Sequence, residues 1–139
     1  MLYDDDNRGS IQFPDRAKQL IDFSGLRYDK ITPTDIDGFI EYHDEAIVFM
    51  EFKYGNAELP YGQKLALERL CDNTQKSGKE TVVFECEHNV DDCNKNVKAA
   101  DAIVRRYRYK GHWYPGRQAT VKEKLDSFIS YVNNPFRKT

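Results

Sequence analysis

Ile36-Asp37-Gly38-Phe39-Ile40-Glu41-Tyr42 and, after a short break, Ala46-Ile47-Val48-Phe49-Met50-Glu51-Phe52-Lys53-Tyr54 are the stretches that decide the fold. In the first, Ile36, Gly38, Ile40 and Tyr42 alternate with Asp37, Phe39 and Glu41, the period of two of a strand. The second opens on a near-continuous apolar run, residues 46–50, which reads as a buried strand. His43-Asp44-Glu45 lies between them as a turn, so the pair forms a hairpin. An antiparallel hairpin brings its far ends together, placing Asp37 near Glu51 and Lys53. Glu51 and Lys53 are separated by one residue, so they point to the same face of the sheet.

Working outward, Ala17, Leu20, Ile21 and Phe23 recur at helical spacing, which predicts a helix over 16–24 closed by Ser24-Gly25. Residues 27–31 read as a short first strand, and Pro33-Thr34 as a turn. After Gly55-Asn56 and Pro60, a helix is expected over 61–73, with Leu65, Leu67, Leu70 and Cys71 apolar. Residues 81–87 form a strand. Residues 97–108 begin ambiguously, but 103–109 alternates as a strand does, and Gly111 turns the chain toward Trp113 and Tyr114. Val121, Leu125, Phe128, Ile129 and Val132 mark a final amphipathic helix over 120–132, stopped by Asn133-Asn134-Pro135. The expected order is αβββαβ plus a C-terminal strand and helix. The class is α/β (α+β), a mixed central sheet flanked by helices.

The 139 residues fit a single domain over 1–139, and 40% apolar with 32% charged residues describes a globular chain. No apolar run reaches membrane-spanning length. The acidic, polar start, Met1 to Ser10 with Asp4-Asp5-Asp6, reads as a loose segment and lacks the pattern of a signal peptide. Three cysteines, an odd count, fit a cytoplasmic chain with reduced thiols. Net charge is −2, yet residues 105–139 carry nine basic and two acidic side chains, a basic block on an acidic chain.

Two carboxylates brought together repel unless something positive lies between them. Mg²⁺ suits that position, because it prefers oxygen ligands and keeps several waters. The Phe52 carbonyl between Glu51 and Lys53 is a candidate further ligand. A bound metal lowers the pKa of water and polarises a phosphoryl oxygen, while Lys53 can hold the water or offset charge on phosphate. Hydrolysis of a phosphodiester follows from such parts.

Thr34-Asp35-Ile36-Asp37-Gly38-Phe39-Ile40-Glu41, then Ile47-Val48-Phe49-Met50-Glu51-Phe52-Lys53-Tyr54-Gly55, resembles the PD-(D/E)XK nuclease superfamily. The opening Gly62-Gln63-Lys64-Leu65-Ala66-Leu67 is similar to the Gln-bearing helix after the motif strand in several of its branches. The resemblance spans roughly residues 14–90. It implies a restriction-endonuclease-like core, with Asp37 and Glu51 as metal ligands for Mg²⁺ or Mn²⁺, Lys53 catalytic, and Gln63 placing metal, water or phosphate. The usual Pro-Asp pair is absent, since Pro33 lies two residues before Asp35. Asp35 and Asp37 share strand parity, so either can face the site; the 14-residue separation of Asp37 from Glu51 suits a short hairpin. The resemblance further implies an endonuclease acting on DNA. Small single-domain members include Holliday junction resolvases, which work as homodimers in phage or prokaryotic recombination, repair or restriction. The alternative is a nuclease fold kept as a DNA- or protein-binding factor without catalysis.

Two other clusters have plainer accounts beside the functional one. Arg105, Arg106, Arg108 and Lys110 interleave with Tyr107 and Tyr109, as a strand gripping a phosphate backbone would. A half-buried strand with tyrosines inside and arginines outside gives the same pattern. Lys122, Lys124, Arg137 and Lys138 would extend the basic surface. Cys71, Cys86, His88 and Cys93 contain zinc-ligand residue types but not a knuckle spacing, so buried thiols are the expectation. Glu41 and Glu58 read as solvated surface.

Overall fold

A computed structural model describes residues 9–137. The acidic start at Asp4-Asp5-Asp6 and Lys138 lie outside the described residues. The chain divides into two compact units, Met1–Thr34 and Asp35–Thr139.

In the first unit the expected helix over 16–24 is a single turn, α1 (Pro14–Ala17). Leu20 and Ile21 are exposed, so no packed face supports a longer helix, and isolated short helices are marginal in water. Instead Ser24 N–H donates to Asp22 Oδ1, a local turn that competes with helix. The expected strand over 27–31 is an isolated bridge between Tyr28 and Ile31. Asp29 there has a φ of 57°, which reverses the chain rather than extending it.

The second unit is built on a five-stranded mixed sheet in the order β1-β2-β3-β4-β5. β1 (Gly38–Tyr42) and β2 (Ala46–Tyr54) form the expected hairpin, pairing Gly38 with Met50 and Tyr42 with Ala46. Two strands, not three, therefore precede the long helix α2 (Tyr61–Lys76). β3 (Glu80–His88) returns parallel to β2, as a helical crossover requires. β4 (Ile103–Tyr109) and β5 (His112–Pro115) complete the sheet with antiparallel pairings. Lys110 and Gly111, at φ 48° and 83°, make the two-residue turn between them. α3 (Val121–Asn133) starts from Thr120, whose hydroxyl accepts from Glu123 N–H while Glu123 accepts from Thr120 N–H. The mixed α/β class is as expected from the sequence.

Alternation along the strands sorts side chains into two layers. Val48, Val82, Phe84, Cys86 and Val104 pack on one face with Val121, Leu125 and Phe128 of α3. Phe49 and Val83 pack on the other with Leu59 and with Leu67 and Cys71 of α2. Cys71 and Cys86 are buried in different layers, and burial pushes both thiols up to about 12. Cys93 is exposed.

The β3–β4 ladder breaks its register between Glu85 and Cys86, where Glu85 pairs with Arg106 but Cys86 with Val104. Arg105 is the extra residue of a β-bulge. Gly116 locks it: its N–H donates to Arg105 O at 2.8 Å, and a Cβ there would meet Val104 O at 1.7 Å. No helix among the described residues is long and apolar enough to cross a membrane.

Candidate metal centre

The centre sits at the C-terminal end of β2, on the α2 face of the sheet. Phe49 is buried there beneath α2, and strand period carries Glu51 and then Lys53 onto the same face. Asp37 lies one residue before β1, opposite Glu51 by the register that pairs Gly38 with Met50. Its N–H donates to Glu51 Oε2 at 2.9 Å, and its own Oδ2 accepts from Phe52 N–H at 2.9 Å. The two residues thus clasp each other through backbone and carboxylate.

Gln63 arrives from the first turn of α2. Leu59, buried against Phe49 and Val83, anchors the chain just before the helix. Gln63 Nε2 then donates to Glu51 Oε1 at 2.7 Å. Each Glu51 oxygen carries one donor and keeps lone-pair capacity.

Carboxylate oxygens of Asp35, Asp37 and Glu51 lie within 4.8 Å of one another. Opposite oxygens on one octahedral Mg²⁺ lie about 4.2 Å apart, so this spread is close to what a single ion draws together. Glu51 is 1% exposed, whereas both aspartates are exposed. Burial, opposed by the bond from Asp37 N–H but reinforced by the charges of Asp37 and Asp35, pushes the Glu51 carboxyl up to about 7. A cation at the three oxygens would reverse that balance. The donor set is all oxygen, which fits Mg²⁺ or Mn²⁺ rather than a thiolate-preferring metal. Lys53 is half-buried on the same face and has no hydrogen-bond or ion-pair partner among the described residues.

The structure therefore brings together Asp35, Asp37, Glu51, Lys53 and Gln63. The Phe52 side chain packs in the opposite layer, beside the α3 cluster. The basic strand is arranged differently. Arg105 Nη2 donates to Gly55 O at 2.8 Å, and Nη1 lies 3.4 Å from Glu85 Oε1. Arg106 bonds the other Glu85 oxygen and stacks 4.2 Å over the Trp113 ring. Arg108 grips Asp72 with two bonds, at 2.9 and 2.8 Å, and Glu68 at 3.3 Å. Lys110 sits exposed at the hairpin tip, 5.2 Å from the Tyr109 ring.

Glu85 escaped the sequence reading. It is 3% exposed and is the cross-strand partner of Glu51. Its signal was available: a glutamate in the middle of a strand otherwise reading as core. No family model, curated protein or solved structure matches the chain.

Proposed function

We propose that this chain is a divalent-metal-dependent endonuclease that hydrolyses DNA phosphodiesters on a restriction-endonuclease-like core. The observation that carries the reading is the convergence of three carboxylates, one of them buried, beside a half-buried lysine whose charge acts on the buried one. A buried carboxyl pushed up by burial and by two neighbouring carboxylates is a candidate functional group.

Asp35, Asp37 and Glu51 would hold the ion, with the Phe52 carbonyl as a further ligand. When bound, that ion supplies water activation and polarisation of the phosphoryl oxygens. Gln63 fixes the Glu51 carboxylate through its bond to Oε1, and Asp37 N–H fixes the other oxygen. Lys53 offers its ammonium to the attacking water or to charge developing on phosphate. Branched DNA bound by a homodimer is the finer substrate reading.

A second reading, a nuclease-fold binding factor without catalysis, is favoured by one observation. Arg105, Arg106 and Arg108 are engaged by Glu85, Glu68 and Asp72 rather than open to phosphate.

The test is cleavage of linear, single-stranded, flap and four-way-junction DNA with Mg²⁺, Mn²⁺ or EDTA. Metal-dependent cutting is expected, falling about 10²–10³-fold in Glu51→Gln and in Lys53→Ala. No cutting by the folded, metal-loaded protein would overturn the enzyme reading in favour of the binding factor.

A further inference from the structure

Beside the carboxylates lies a cavity of about 550 Å³ whose lining includes Glu58, Tyr61, Lys64, Glu85, Arg105 and Arg106. It adjoins the centre from two sides: Glu85 pairs with Glu51 across β2 and β3, and Lys64 follows Gln63 on α2. Its volume falls in the range of small-ligand sites, roughly 300–1,000 Å³.

The cations of this cavity are not equivalent. Arg105 is held between Glu85 and Glu87, and Arg106 by the other Glu85 oxygen. Lys64 is half-buried, and among the described residues its ammonium has no hydrogen-bond or ion-pair partner. Glu58 is the other carboxylate of the lining and is exposed. The first turn of α2 holds no acidic residue. Both arginines are thus already paired, and the lining cation without an ion pair among the described residues is the Lys64 ammonium. Tyr61 is 78% exposed at the same wall, a flat aromatic ring presented to solvent.

We propose that this cavity holds a phosphodiester of a single-stranded nucleic acid next to the bond cut at the carboxylates, with Lys64 contacting the phosphate and Tyr61 stacking on its base. The inference rests on the nuclease reading for the neighbouring bond. Lysine serves phosphate as a point charge, and aromatic stacking accepts any base. A base reaches Tyr61 only when it is out of a duplex stack, which is why the strand is single.

The test is anisotropy of a short 5′-labelled oligothymidine titrated with the full chain in Ca²⁺ at several salt concentrations. Lys64→Ala is expected to weaken binding about tenfold at low salt and to flatten the log K against log salt slope by about 0.7. Tyr61→Ala is expected to weaken binding with the slope unchanged, because stacking releases no counterions. Thermal melts check that both variants fold. Unchanged affinity and slope in Lys64→Ala would overturn the proposal, as would a wild-type chain that does not retain the oligonucleotide. A chain that binds inorganic phosphate but not the oligonucleotide overturns it as well. Binding that depends on Lys64 in a protein that cuts no DNA would sustain this proposal while failing the nuclease reading.

Discussion

Glu51 and Glu85 are neighbours on adjacent parallel strands, equally buried on the same face, and they are treated in opposite ways. Glu85 is clamped by Arg105 and Arg106, the two residues that a β-bulge brings opposite it. Glu51 is faced by Asp35 and Asp37, and its proton is held up to about 7. One buried acid has its counter-charges in contact; the other has two further carboxylates beside it and only the Lys53 charge acting in its favour. The first pattern is structural, since the acid is already paired with cations of its own sheet. The second is what a site poised for a cation requires.

The contrast breaks most severely at Glu85. Glu85→Ala leaves Arg106 without its carboxylate and Arg105 with only Glu87 and the Gly55 carbonyl, and a loss of about 4 kcal/mol is expected by denaturant unfolding. A variant with near wild-type stability would mean that the clamp is no more than a surface ion pair. Gly116→Ala attacks the same clamp from behind. Its new methyl must displace the β4 backbone at Val104 and Arg105, for about 3 kcal/mol. A neutral result there would show that the bulge does not depend on this close approach.

The third effect sharpens the comparison, because its sign is reversed. The folded-state pKa of Glu51 lies above its unfolded value, so the folded chain keeps a proton that the unfolded chain has released. That linkage leaves full stability below about pH 4.5 and removes it as pH rises toward 7. Glu51→Gln has no such loss. Its stability relative to the wild type is expected to rise by about 3 kcal/mol between pH 4 and pH 8 without metal. It starts below the wild type at pH 4, because an amide cannot accept from both Asp37 and Gln63 at any pH. Millimolar Mg²⁺ should stabilise the wild type and not the variant. Equal pH profiles in the two proteins would remove the distinction between the two glutamates.

Much of this was legible before the fold was known. The bounds of β2 and β4 follow from apolar or alternating runs closed by turn residues, and the Asp37–Glu51 approach follows from the hairpin alone. The first 34 residues misled, because Leu20 and Ile21 have helical spacing but no packed surface to make that helix worth forming. The basic strand was legible only in part. Composition identifies arginines, but only the fold shows that Asp72, Glu68 and Glu85 stand within reach of them. The bulge has no signature in hydrophobic alternation, because the arginine run hides the step.

That step gives β4 an odd arithmetic. Its seven residues span only six on β3, from Glu87 opposite Ile103 to Val82 opposite Tyr109. With Arg105 struck out, Val104, Arg106, Tyr107, Arg108 and Tyr109 alternate without a fault. Arg105 therefore behaves as a phase slip written into an otherwise regular strand. In an alignment of related chains it is the column where a gap would preserve every other side chain's layer, while halving the grip on Glu85.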